Sequence, residues 1–411
     1  MRECSWPEIS IGNLGEVFTG RTPSTEHPAY FGTEFPFITP GDMRQGKYAR
    51  VTSRSLSCEG AELLKRISLP ANSVCVSCIG WQMGETIITD RLSFTNQQIN
   101  SIVPNCKVDP SFLYYSLRPR KQELLALGAT TGVRTPIINK TTFSDLKVMV
   151  PPLPVQRRIA GILSGYDELI ENSQRRIKIL ESMARGLYRE WFVYFRFPGH
   201  ENHPRVASPL GDIPEGWEVR SAPECIHINP RVAVPREGEK PFVPMGCLSN
   251  DSMLISDVEI RGGNSGAKFQ NGDTLFARIT PCLENGKTGY VQFLPTETAV
   301  GFGSTEFIVL RSRTLTPEFV YLLARSEEFR GVAIKSMSGA TGRQRVQEQC
   351  FNDFQIVQSP RKVLESFSSI IAPSFQLIFR LHCQIQNLRR TRDLLLPRLL
   401  SGQVELKLEA A

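Results

Sequence analysis

The sequence predicts an α+β fold built from two similar globular domains, each followed by one long helix. Three observations carry that reading. Short strings recur at an offset of about 208 residues; the first part of each repeat is β-rich; and behind a proline in each the hydrophobic period becomes helical. At 411 residues the chain is too long for one ordinary compact domain. Its 41% hydrophobic and 22% charged residues match folded globular proteins, which excludes wholesale disorder.

The first domain is placed at residues 1–150. It reads as short β-branched runs, such as 73–79, broken by Gly, Pro and Asn. The second, at 216–359, echoes it. Pro110-Ser111-Phe112-Leu113-Tyr114 returns as Pro317-Glu318-Phe319-Val320-Tyr321, and Gly128-Ala129-Thr130 as Gly339-Ala340-Thr341. Phe143-Ser144-Asp145-Leu146 returns as Phe351-Asn352-Asp353-Phe354, and Phe37-Ile38 as Phe242-Val243. Two long repeats make a duplicated unit, not a solenoid.

Pro151-Pro152 opens a first long helix, assigned to 151–198. Its apolar positions step by four and three through Ile159, Leu163, Tyr166, Ile170, Ser173, Ile177, Leu180, Ala184, Leu187, Trp191 and Tyr194. That is a heptad seam with one polar break. Adding about 208 gives Phe367, Ile371, Ser374, Ile378, Leu381, Ile385, Leu388, Arg392, Leu395 and Leu399, in a second helix assigned to 360–403. Pro373 is expected to kink or restart that helix, because it removes a backbone donor. A stripe this narrow needs a partner. The other repeat's helix is the simplest one, and the helix's own globular domain is the alternative. Residues 199–215 read as a linker and 404–411 as a tail.

The N-terminus lacks the apolar core of a signal peptide, and no run approaches the length of a membrane span. The 10 cysteines are therefore expected to be reduced thiols of a cytoplasmic protein. Cys75 and Cys78 have zinc-knuckle spacing but lack a second pair and sit in a β run, so core thiols are expected and no metal. Catalytic motifs fail one by one. Pro151-Pro152 lacks the polar residue and aromatic ring that flank an adenine methyltransferase loop. Gly301-Phe302-Gly303 lacks the third glycine of a nucleotide fingerprint, and there is no phosphate loop. Asp145-Leu146-Lys147 is a nuclease-like tripeptide without an upstream partner. The sequence argues against an enzyme.

Several strings resemble the specificity subunit of type I restriction-modification enzymes. Pro152-Leu153-Pro154-Val155-Gln156-Arg157-Arg158-Ile159 is similar to that family's opening of the first long helix. Leu187-Tyr188-Arg189-Glu190-Trp191-Phe192, running to Phe197-Pro198-Gly199, is similar to its exit. Gly211-Asp212-Ile213-Pro214-Glu215-Gly216-Trp217 resembles the start of the second domain, Leu399-Leu400-Ser401-Gly402 the closing segment, and Trp6 with Gly20-Arg21-Thr22-Pro23 the start of the first domain. One departure is visible: Gln156 and Asp167 fall opposite Leu364 and Phe375 in the repeat.

The resemblance implies two target-recognition domains, each reading one half of a bipartite double-stranded DNA target. It implies that the helices lie antiparallel as a spacer and dock two copies of an adenine-N6 DNA methyltransferase subunit. S-adenosylmethionine would belong to that partner, no cofactor to this chain, and a motor/endonuclease subunit could join. Rival readings are a coiled-coil scaffold without DNA readout and a stand-alone DNA-modifying enzyme.

Base reading needs Arg, Lys, Asn, Gln or Thr on loops that reach base edges. The candidates are Arg21, Thr22, Lys47, Arg134 and Lys140 in the first domain, and Arg231, Arg278, Lys287, Arg343 and Arg345 in the second. Lys plus Arg exceeds Asp plus Glu by 48 to 41, giving a net charge of +7. The cluster Arg389-Arg390 with Arg392 reads either as a hydrated face or as a surface for DNA or an acidic partner. Trp191 and Phe192 read as core, with docking as the alternative.

Overall fold

A computed structural model describes residues 6–129, 135–340, 342–404 and 406. The chain divides into two compact units: residues 1–171 with 387–411, and residues 172–386. Each unit holds one globular domain and a stretch of both long helices.

The duplication is explicit in the sheets. In the first domain an antiparallel sheet orders Gly15–Thr19, Ile99–Pro104, Val74–Ser77 and Thr86–Ile88. In the second the order is Ile226–Ile228, Phe307–Ser312, Thr274–Ala277 and Thr288–Tyr290. A second sheet in each domain is mixed. Its parallel pair joins Phe37 to Phe94 and Ile38 to Thr95 in one domain, Phe242 to Phe302 and Val243 to Gly303 in the other. The echo of Phe37-Ile38 in Phe242-Val243 is thus an equivalence of register. Gly301 and Gly303 belong to this strand: a Cβ on either would collide, with the Phe269 ring or the Val243 carbonyl.

The repeated Pro-x-Phe string opens a helix in both domains, Pro110–Leu117 and Pro317–Arg325. Proline fits the first turn because its missing donor would be unpaired there anyway. Asp109 caps the first helix by accepting from the Phe112 N–H at 2.9 Å, and Thr316 caps the second by accepting from Phe319 at 3.4 Å.

The first long helix spans Leu153–Tyr188 and closes in a π-turn over Arg189–Val193. One heptad line holds throughout: Leu163, Ile170, Ile177, Ala184 and Trp191 are all buried. The companion line holds at Ile159 and Ser173 and then drifts. Glu181 and Tyr188 take the buried places expected of Leu180 and Leu187, which are half-buried, and Tyr194 is exposed. A straight helix falls about 20° behind a strict heptad at every repeat, so the next residue rotates in. The second helix, Arg361–Leu400, behaves alike. Ile371, Ile378, Ile385, Arg392 and Leu399 stay buried, whereas Phe375 and Leu396 displace Ser374 and Leu395, and Leu388 is half-buried. The helix does not restart at Pro373. The residue is exposed on the outer side, and the helix continues through it.

The helices pair antiparallel and also pack on their domains, so both suggested partners are used. In the first unit Ile159 and Leu163 share a buried cluster with Leu396 and Leu399, while Asp167, further on, meets Arg392. In the second unit the end of the first helix meets the start of the second: Trp191 and Phe192 lie 5.7 and 4.8 Å from Phe367, ring centre to ring centre. Phe192 also lies 4.7 Å from Phe319 and 5.9 Å from Trp217. These rings are core; none is left over for docking. The linker contains an antiparallel hairpin, Arg205–Ser208 with Gly211–Pro214.

Arg392 corrects a surface reading. Its side chain is buried, held by Asp167 and by Asp393, while Asp167 also accepts from the Tyr115 hydroxyl at 2.7 Å. Cys75 and Cys78 are buried, which pushes both thiols up to about 12. Among the described residues no helix is long and apolar enough to cross a membrane.

Candidate nucleic-acid interface

In the first domain three loops leave the same end of the antiparallel sheet. One follows Thr19, one follows Ser77, and one precedes Ile99. The Arg21 N–H donates to the Thr95 carbonyl at 3.0 Å, and the Cys78 N–H to that of Gln98 at 2.7 Å. Thr22 Oγ1 donates to Gln97 Oε1 at 2.7 Å. Gly20 makes the crossing possible, since a Cβ there would collide with the Asn96 carbonyl. A fourth segment joins them: Gly80 N–H donates to the Pro136 carbonyl at 2.9 Å, and Ile79 bridges Ile137. Lys140 begins the next helix, Lys140–Asp145, with its ammonium 6.0 Å from the Phe18 ring centre. Arg134 lies outside the described residues.

Lys47 is placed elsewhere. Its carbonyl accepts from Ile88 at 2.8 Å, at the opposite end of the strand Thr86–Ile88. The ammonium donates to Ser111 Oγ at 3.0 Å and Ser164 Oγ at 2.8 Å, above the rings of Tyr48, Tyr114 and Tyr115. Burial lowers its pKa, opposed by the charge of Asp167. This lysine fastens the domain to the first long helix.

The second domain repeats the loop cluster with different chemistry. The loop after Ile228 carries Arg231, the loop after Ala277 carries Arg278, and a tight turn joins Ser338 to Arg345. Ile279 bridges Arg345, as Ile79 bridges Ile137. Glu306 organises two of the cations. It accepts from Arg345 Nη2 at 2.7 Å and, more loosely, from Arg278 Nε at 3.4 Å; Arg278 also reaches Glu348 at 3.1 Å. The Arg345 hydrogen bond draws the Glu306 pKa down. A cavity of about 510 Å³ lies alongside, lined by Asn229, Arg231, Lys268, Arg278 and Thr305. Arg343 is exposed on the turn, and Lys287 is half-buried with its ammonium on the Met245 carbonyl at 3.1 Å.

The structure therefore gathers Arg21, Thr22 and Lys140 at one sheet end, and Arg231, Arg278, Arg343 and Arg345 at the equivalent end of the repeat. Trp81, Gln97, Lys268 and Glu306 were not among the sequence candidates. Trp81, Gln97 and Glu306 share a signal of position, each on a loop leaving that sheet end, whereas Lys268 stands in the strand Ala267–Phe269 and lines the cavity.

Residues 4–182 match the family model of the type I restriction modification DNA specificity domain. A relative extends the match along the whole chain: the type I restriction enzyme MjaIX specificity subunit of Methanocaldococcus jannaschii is 25% identical over 98% of this chain and 94% of its own length. The chain is similar along its length to the type I restriction enzyme specificity subunits. The HindI specificity subunit of Haemophilus influenzae is 32% identical over 43% of this chain and 39% of its own. The type I restriction-modification system S subunit from M. genitalium shares the fold, with a TM-score of 0.61 at 14% identity over 99% of this chain and 98% of that one. These likenesses support a DNA sequence-recognition role, in a subunit that is not the catalytic component.

Proposed function

We propose that each loop cluster reads one half of a bipartite double-stranded DNA target in the cytoplasm, with residues 1–150 and 216–359 as the two reading domains. The carrying observation is the equivalence of the two sheet ends: duplicated strands deliver side chains suited to base edges and phosphates to the same place in both repeats. The long helices fix the distance between the half-sites and dock two adenine-N6 DNA methyltransferase subunits, which bring S-adenosylmethionine. A motor/endonuclease subunit completes the restricting form.

Exchanging residues 1–150 for the first domain of another specificity subunit tests this reading. The adenines methylated by the reconstituted complex should then lie in targets altered in one half only. Changes in both halves would contradict independent readers. The purified chain alone is expected to transfer no labelled methyl group to DNA, and measurable transfer would overturn the division of labour.

Docking has its own support on the first helix. Ile179 and Met183 are 51% and 64% exposed and, four residues apart, share a face. Replacing both by aspartate should weaken capture of the methyltransferase subunit about tenfold or more, because two carboxylates would have to be desolvated at the contact. Undiminished capture in a pull-down would place the docking face elsewhere.

A further inference from the structure

The first domain's loop cluster holds two large apolar side chains in solvent. Trp81 is 68% exposed and Ile137 is 49% exposed. They come from segments that are tied together, through the Ile79–Ile137 bridge and the Gly80–Pro136 hydrogen bond. Gly80 and Gly84, at φ of +94° and +93°, shape the turn that presents the indole. Arg21 and the Thr22–Gln97 pair stand on the neighbouring loops. An exposed indole is unfavourably hydrated, and this one sits among groups of the kind that bond to base edges.

The repeat handles the same place differently. Aligning the bridge Ile79–Ile137 with Ile279–Arg345 sets Trp81 opposite Pro281 and Ile137 opposite Arg345. The apolar pair of one domain is replaced by a guanidinium site in the other.

We propose that Trp81, supported by Ile137, is a base-contacting residue of the first domain. Its indole packs on apolar base surface within that half-site, whereas the second domain presents arginines at the equivalent position. The proposal rests on the DNA-reading role given above. The physical basis is area: an indole covers a large surface while ordering only two torsions, and both base faces and the thymine methyl group offer apolar surface.

The test uses the full chain in complex with its methyltransferase subunit. One duplex carries the target, read from the adenines the complex methylates; a random duplex of equal length is the control. Trp81→Ala should bind the target about tenfold or more weakly and the random duplex within about twofold of wild type. Trp81→Phe should keep most of the affinity. The target should quench tryptophan emission of wild type, and most of this quench should be lost in Trp81→Ala, because Trp191 and Trp217 are buried and Trp6 packs against the first domain's core. Uracil in place of thymine across the half-site separates a methyl contact from packing on a base face, which 2-aminopurine reports. Equal affinity of Trp81→Ala and wild type for the target overturns the proposal, as does an equal loss on both duplexes. A wild-type complex that does not distinguish target from random DNA overturns the DNA-reading role and this proposal with it.

Discussion

Asp167→Ala is expected to destabilise the first unit by about 3 kcal/mol, the cost of leaving a buried charge unpaired. The side chains of Asp167 and Arg392 are only 15% and 8% exposed. Removing the carboxylate strands the Arg392 guanidinium and the Tyr115 hydroxyl together, and Asp393 retains only part of the charge compensation. Hydrogen exchange should show it directly. Amides in 153–171 and 387–400 should exchange about 100-fold faster, as about 3 kcal/mol implies for local opening. The double replacement Asp167→Leu with Arg392→Leu should recover most of the loss, because an apolar pair carries no desolvation penalty. The second unit already uses that solution: Phe375, the counterpart of Asp167, lies edge-on to Tyr290 and Tyr321 at 5.1 and 5.6 Å. Unchanged exchange in Asp167→Ala would mean that the pair contributes nothing net to the junction.

Inserting four residues beside Ser173, with four more beside Ile385 in the second helix, should abolish methylation of the original target. Activity should return on a target whose non-specific gap is longer by one or two base pairs. Both sites are buried seam positions. Four residues lengthen a helix by about 6 Å and overshoot one turn slightly, so the seam is locally unwound rather than reversed. DNA rises about 3.4 Å per base pair, which sets the expected change in gap. Methylation of duplexes with graded gaps is the measurement, and both half-site sequences should stay as they were. A folded, active insertion variant that keeps the original gap would show that the helices are not the ruler.

The duplication, the α+β class and the two helices were legible in the chain because each leaves a periodic or repeated mark. Heptad lines through Leu163 and Ile371 needed only counting, and the echo of Phe37-Ile38 in Phe242-Val243 already marked a strand register. A restart at Pro373 was misread because the cost of a missing helical donor depends on what surrounds it. An exposed proline within 40 helical residues loses one bond and is outweighed by the packing on either side.

Charged side chains were the hardest to place, since their partners are remote in sequence. Arg392 looked like part of a basic surface, yet its acid lies 225 residues away. Lys47 looked like a loop cation until Ser164 of the first helix closed on it. Arg278 and Arg345 were found by position, but their shared holder, Glu306, carries no local signature. Trp81 was passed over because nothing in a strand-turn-strand string tells an indole in solvent from one in a core. Sequence by itself determined which segments form helices and strands and that the unit occurs twice, because period and repetition act over neighbouring residues. Tertiary structure decided which cations are buried, which are aimed outward and which apolar ring is exposed, because those outcomes depend on what folds against each side chain from far along the chain.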